Sequence, residues 1–170
     1  MDLKSTIRSI PDFPKPGILF RDITTMLKDG AAFSAVIDEL AERYRSGSID
    51  AIAGIESRGF IFGAALAAKL GTGFIPIRKP GKLPAKTVSA QYSLEYGTDT
   101  IEMHVDAVSP GMRILLIDDL LATGGTMHAA CELVEKTGGL VAECCFIIEL
   151  AGLKGRGALA GKNIFSLLVY

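Results

Sequence analysis

The chain has 170 residues, enough for one domain. With 49% hydrophobic and 22% charged residues it can bury a sizeable core and does not read as disordered. A formal net charge of −1 gives no global attraction to nucleic acid or to an anionic membrane, so recognition of a phosphate must come from local groups. Cys131, Cys144 and Cys145 lack Cys-x-x-Cys spacing and sit among apolar residues, as expected of buried, reduced thiols in a cytoplasmic protein. The start, MDLKSTIRSIP, lacks the apolar core of a signal peptide, and no apolar run is long enough to span a bilayer.

The stretch AAFSAVIDELAERYRSG (residues 31–47) carries apolar residues at Phe33, Val36, Ile37, Leu40, Ala41 and Tyr44. That spacing predicts a helix stopped near Gly47. IDAIAGI (49–55) predicts a buried strand, GFIFGAALAAKLG (59–71) a helix and GFIPI (73–77) a second strand. Residues 79–110 interrupt the alternation. They are richer in polar residues and turns, and the alternating TIEMHV predicts a hairpin-like excursion, a lid or flap. RILLI (113–117) predicts a strand, TMHAACELVEKTGG (126–139) a helix with a glycine stop, and LVAECCFIIEL (140–150) and NIFSLLVY (163–170) later strands. GLKGRG (152–157) has spaced glycines without the dinucleotide pattern and reads as a loop. Together these predict an α/β fold, a central, mostly parallel sheet with helices on both faces. Ligands in such folds bind beyond the carboxyl ends of the strands.

The stretch RILLIDDLLATGGT (113–126) concentrates the chemistry. Asp118 and Asp119 follow the apolar run, and a glycine pair between two threonines opens the next helix. Gly124 and Gly125 let the backbone turn and expose its N–H groups, while Thr123 and Thr126 add hydroxyls. The helix start adds unsatisfied N–H groups and a positive dipole end, so the loop suits a phosphate monoester. Two aspartates would repel that phosphate. They suit hydroxyl donors or a divalent cation. A ribose 5-phosphate, with a phosphate at one end and a diol nearby, satisfies both demands. A P-loop is excluded, because its glycine-lysine signature is missing.

ILLIDDLLATGGT resembles the 5-phosphoribosyl-1-pyrophosphate (PRPP) motif of the type I phosphoribosyltransferases. The resemblance implies that fold, with a flexible hairpin-like loop and a small base-binding hood. It assigns Asp118 and Asp119 to the ribose hydroxyls, and Ala122, Thr123, Gly124, Gly125 and Thr126 to the 5-phosphate. The rest of the chain is similar to the adenine phosphoribosyltransferase family over nearly its whole length, as one domain spanning residues 1–170. Within it, 1–30 is expected to bind the base, 79–110 to form the flexible loop and hairpin, and 113–137 to form the PRPP-binding strand, loop and helix.

FPKPGILFRDIT (13–24) resembles the family's amino-terminal segment, which implies Phe20 stacked on adenine, backbone groups of Leu19 and Arg21 at its edge, and Leu150 on the other face. On pattern alone Phe20 and Leu150 read as core. GIESRGFIFG (54–63) resembles the pyrophosphate loop. Arg58 is a fixed cation with a planar donor fork, Glu56 can pair with a cation, and the resemblance implies a cis Glu56–Ser57 peptide that turns backbone N–H groups to pyrophosphate. IRKPGKLP (77–84) and YSLEYG (92–97) resemble the flexible catalytic loop. Arg78, Lys79 and Lys82 are the stronger pyrophosphate candidates and Lys86 the weaker. Glu95 matches a glutamate assigned to proton transfer at the purine, and Tyr96 a tyrosine that closes near the reaction centre. His104 and His128 have no part in this chemistry.

The implied reaction joins adenine and PRPP to give AMP and pyrophosphate in purine salvage, with Arg58, Glu95 and Tyr96 as the catalytic set. Magnesium is expected to arrive with PRPP and keep its waters rather than bind the protein directly. A homodimer is expected from the family, with no nucleic-acid or membrane partner. The rivals are a transferase for another purine base and a regulator that keeps the fold to sense PRPP. A receiver-like signalling domain would also end a strand in paired acids, but it leaves ATGGT and FPKPGILFRD without a role.

Overall fold

The structure is a computed structural model that describes residues 2–94 and 96–170. The chain divides into two compact units, Met1–Arg45 and Ser46–Tyr170.

The first unit begins with a 3-10 turn, Leu3–Thr6, and a two-stranded antiparallel ribbon, β1 (Arg8–Pro11) and β2 (Leu19–Asp22). Helices α1 (Thr24–Lys28) and α2 (Gly30–Tyr44) follow. Asp29 caps α2, accepting from the N–H groups of Ala31 at 3.0 Å and Ala32 at 3.1 Å. The predicted apolar stripe is real: Val36, Ile37, Leu40, Ala41 and Tyr44 are buried, and Phe33 is half-buried. Asp22 locks the ribbon's last residue. Its carboxylate accepts from Arg8 Nε at 3.0 Å and from the Thr24 N–H and hydroxyl, each at 2.9 Å. The Arg8 guanidinium and these donors hold its pKa down at about 2.

The second unit is built on a five-stranded parallel sheet, in the order β4 (Gly73–Ile77), β3 (Ala51–Ile55), β7 (Arg113–Leu121), β8 (Leu140–Glu149), β9 (Ile164–Val169). Its helices are α3 (Arg58–Leu70) and α4 (Gly125–Lys136). One core joins Ala53, Ile55, Leu116 and Phe146 of the sheet to Ala130, Cys131 and Val134 of α4. The predicted excursion is an antiparallel hairpin, β5 (Thr87–Ser93) and β6 (Thr98–His104). Its buried Ala90, Ile101 and Met103 belong to the same core.

Two expectations shift. β7 runs four residues past the predicted Ile117 to Leu121, because β8 keeps pairing beyond the apolar run, through Leu120↔Ile148 and Leu121↔Glu149. The segment around GLKGRG is not a plain loop. It forms two 3-10 turns, Ala151–Leu153 and Gly155–Leu159, whose Leu159 is buried in the core.

Candidate active site

From β3 the chain steps outward to β4, and from β7 it steps the other way to β8 and β9. The loops after β3 and β7 therefore diverge from neighbouring strands, which is the switch point where α/β sheets bind ligands. Pairing between the two strands stops at Gly54↔Ile117. Asp118 and Asp119 stand just beyond, on a strand still supported by β8.

Gly59 brings α3 onto this strand end. A Cβ there would lie 2.8 Å from the Ile117 carbonyl oxygen and 3.1 Å from Asp118 Oδ1. The absence of a side chain thus sets the amino terminus of α3 beside the acids. Arg58, the first residue of α3, bonds the buried Asp119 carboxylate through Nε at 2.7 Å. Asp118 Oδ1 accepts from the Asp119 N–H at 2.9 Å. Burial, then the Asp119 charge, push the Asp118 carboxyl well above the usual carboxylate range. Burial also raises Asp119, against the pull of Arg58. This pair favours partners that restore hydrogen bonds or positive charge to it.

The Glu56–Ser57 peptide is cis. The Glu56 carboxylate accepts from Arg78 Nε at 3.1 Å and from the Lys79 N–H at 2.9 Å, which ties the start of the basic segment to the loop after β3. Lys79 Nζ pairs with Asp99 and donates to the Tyr92 hydroxyl at 3.0 Å. The Lys79 ammonium holds Asp99 below its ordinary pKa. Tyr92 and Asp99 face each other across the hairpin, and Tyr92 donates to Asp99 at 3.0 Å. Three of the predicted cations are each aimed by an acid: Arg58 by Asp119, Arg78 by Glu56 and Lys79 by Asp99.

A cavity of about 200 Å³ is lined by Glu56, Ser57, Arg58, Arg78 and Lys79 together with Asp118, Asp119 and Thr126. Tyr92 and Thr126 also line a cavity of about 460 Å³ with Thr123 and Gly125. The predicted pyrophosphate, ribose and phosphate residues thus open onto neighbouring spaces. Gly124 lies behind them, in the left-handed region at φ +87°. Lys82 and Tyr96 are solvent-exposed, and Glu95 lies outside the described residues. Leu150 follows β8, partly buried, and donates its N–H to the Leu121 carbonyl at 2.9 Å. In the amino-terminal unit Leu19, Phe20 and Arg21 lie on β2. Phe20 meets Phe13 edge to face, with centroids 5.1 Å apart. His128 Nδ1 lies 3.0 Å from the Ala158 carbonyl, and His104 Nε2 accepts from the Ala85 N–H at 3.3 Å, so both have backbone partners. Tyr92 and Asp99 escape the sequence reading as site residues, since nothing local marks a hairpin pair that aims a lysine.

The phosphoribosyl transferase domain family matches residues 24–162. An adenine phosphoribosyltransferase of Chloroflexus aurantiacus is 61% identical over 99% of this chain and 98% of its own. The chain belongs to the adenine phosphoribosyltransferase family. Among solved structures, the family member from Thermoanaerobacter pseudethanolicus is 54% identical with a TM-score of 0.96, covering 99% of this chain and 98% of its own. The Saccharomyces cerevisiae member, solved with adenine and an imino-altritol bisphosphate, is 42% identical with a TM-score of 0.93, covering 98% of this chain and 97% of its own. The family likeness therefore extends over both units.

Proposed function

We propose that this chain transfers the 5-phosphoribosyl group of PRPP to adenine, giving AMP and pyrophosphate in purine salvage. The observation that carries the reading is the cavity that Arg58, Arg78 and Lys79 line together with Asp118 and Asp119, with Tyr92 and Thr126 shared with the space that Thr123 and Gly125 line. The adenine in the yeast relative's structure supports the choice of base.

In this mechanism the loop formed by Ala122, Thr123, Gly124, Gly125 and Thr126 holds the 5-phosphate on N–H groups at the start of α4. Asp118 and Asp119 take the ribose hydroxyls and fix the sugar. Glu56, Ser57, Arg58, Arg78, Lys79 and Lys82 form the pyrophosphate side. Arg58 and the lysines neutralise charge as the bond from the anomeric carbon to the pyrophosphate oxygen breaks. The anomeric carbon passes through an oxocarbenium-like transition state, and N9 of adenine supplies the electron pair of the new bond. Glu95 takes up or relays the N9 proton, and Tyr96 helps close the site against water. Leu19, Phe20, Arg21 and Leu150 are the proposed adenine contacts.

No group of three or more His, Cys, Asp or Glu residues able to hold a metal occurs among the described residues. The carboxylates that line the cavity are Asp118, Asp119, paired with Arg58, and Glu56, paired with Arg78. That donor set fits a magnesium ion brought by PRPP and held mainly by phosphates and water. When bound, magnesium supplies further charge neutralisation on the pyrophosphate. A homodimer and a cytoplasmic location belong to the proposal on the strength of the family. No helix among the described residues is long and apolar enough to cross a membrane.

The test is incubation with PRPP, magnesium and each of adenine, hypoxanthine, guanine and xanthine, measuring nucleotide and pyrophosphate. AMP from adenine alone is expected. Product from another base keeps the PRPP site and removes the adenine assignment of Leu19–Arg21. PRPP binding without product from any base favours the regulator instead. Glu95→Ala is expected to lower kcat about 100-fold with the circular dichroism spectrum unchanged, in line with loss of general acid–base assistance. Unchanged turnover would remove Glu95 from the catalytic set.

A further inference from the structure

The segment around GLKGRG has no part in the chemistry above, yet it packs directly behind the phosphate loop. A Cβ on Gly124 would lie 2.4 Å from the Gly155 carbonyl oxygen, and a Cβ on Gly155 would lie 2.3 Å from the Ala122 carbonyl oxygen. The two backbones meet with no side chain between them. Three further contacts hold the Gly155–Leu159 turn in place. Leu159 is buried in the core that includes Leu121. His128, in the first turn of α4, meets the Ala158 carbonyl at 3.0 Å. Arg156 grips Glu149 with a two-pronged contact, Nε to Oε1 and Nη2 to Oε2, both at 2.8 Å.

The third contact is the unusual one. Among the described residues Glu149 is one of three buried charged side chains, with Asp22 and Asp119. It ends β8 in register with Leu121, the last residue of β7 before the phosphate loop. Burying a carboxylate there is costly unless it is matched by a cation with the right geometry. Arg156 supplies that match and lowers the pKa of Glu149. The pair therefore links the end of β8 to the turn that backs the loop.

We propose that Glu149 and Arg156 are positioning residues for the 5-phosphate loop, acting through the backbone contact between Gly155 and Gly124. Neither touches the substrate in this scheme. Their work is to hold the turn at the distance that sets the shape of Ala122–Gly125 before the phosphate arrives. The inference rests on the assignment of that loop to the 5-phosphate.

The effect falls on one end of the substrate, which separates it from a general loss of stability. Glu149→Gln keeps the shape of the side chain and one strong acceptor. Arg156→Lys keeps the charge and loses the planar fork. Both are expected to fold. Arg156→Ala leaves Glu149 buried without its cation and is the more damaging change. In the folded variants, binding of ribose 5-phosphate, followed by titration calorimetry, is expected to weaken about 10-fold, as a displacement of a fraction of an ångström in a binding loop can produce. KM for PRPP rises in parallel and by more than KM for adenine, whose proposed contact Leu150 follows Glu149 but lies outside the Gly155–Gly124 backbone contact. Arg156→Lys is expected to fall between wild type and Arg156→Ala.

Folded Glu149→Gln and Arg156→Lys proteins that bind ribose 5-phosphate as wild type does, with only a lower Tm, would reduce the pair to a structural role and overturn the proposal. Wild-type protein that does not bind ribose 5-phosphate would overturn it with the loop assignment itself. Wild-type protein that binds ribose 5-phosphate but makes no AMP would remove the adenine reaction alone. The variant series would then still decide the positioning role.

Discussion

Asp118→Asn is expected to raise the melting temperature of the protein without added ligand and to lower kcat/KM for PRPP about 10- to 100-fold. The two effects share a cause. Burial and the neighbouring Asp119 charge raise the Asp118 carboxyl well above its ordinary range. A carboxyl raised in the folded protein contributes stability that is fully present below its unfolded value, 3.8, and is lost as the pH rises through its folded value. Asparagine removes the charge and keeps an oxygen to accept the Asp119 N–H, a bond of 2.9 Å in the wild type. Relief of such a functional-site penalty typically stabilises by about 0.5–2 kcal/mol, or about 2–6 °C for a chain of this length. The gain should be largest near neutral pH and shrink toward pH 4. The loss with PRPP follows because a neutral amide accepts ribose hydroxyls less strongly than a carboxylate, by about 1.5–3 kcal/mol. Asp119→Asn should differ. Asp119 is raised as well, but Arg58 at 2.7 Å offsets part of the burial cost, so its replacement should impair PRPP use with a smaller rise in Tm. Scanning calorimetry across pH and initial rates at varied PRPP check both. A lower Tm for Asp118→Asn at pH 7 would show that the acid is no burden to the fold, and an unchanged KM for PRPP would remove Asp118 from the ribose site.

The sheet, its helices and the hairpin are legible in the sequence because each carries its own periodicity. Ile101 and Met103 alternate with polar neighbours and are, with Ala90, residues the hairpin buries, while α2 buries the stripe at Val36, Ile37 and Leu40. What escapes local reading depends on a distant partner. β7 reaches Leu121 because β8 lies alongside, and no residue after Ile117 announces this. The β1–β2 ribbon forms across the proline-rich FPKPG, and its end pair, Arg8 and Asp22, is joined by an ion pair between residues distant in the sequence. The site divides in the same way. Asp118, Asp119 and the threonine-glycine loop lie within nine residues of one another, so their chemistry can be read as a string. The acids that aim the cations come from elsewhere: Asp99 for Lys79 from a hairpin strand, Glu56 for Arg78 from the loop after another strand. Gly155 is the clearest case. Its neighbours suggest a flexible glycine loop, and its actual constraint is the backbone of a loop some thirty residues earlier.

Gly124→Ala is expected to destabilise the protein by about 2–5 kcal/mol, through two separate effects. Gly124 sits at φ +87°, a conformation that strains any residue with a Cβ. The new Cβ would also lie 2.4 Å from the Gly155 carbonyl oxygen and 3.0 Å from the Ala158 Cβ. The first of these is a backbone atom and has no rotamer to change, so relief requires the loop or the turn behind it to move. Either movement reshapes the N–H groups offered to the phosphate, and KM for PRPP should rise in whatever folded protein remains. The adjacent glycine is the control. A Cβ on Gly125 would meet the Ser93 carbonyl oxygen at 3.6 Å, ordinary contact, with no positive φ. Alanine is also a better helix former at that first helical position. Gly125→Ala should therefore keep its stability within about 0.5 kcal/mol of wild type. Two neighbouring glycines of one motif thus separate by a melting experiment, and the difference measures how tightly Gly155 backs the loop. Equal melting temperatures for the two variants would mean that the turn yields freely. The shape of the cradle would then have to come from α4 and the end of β7 alone.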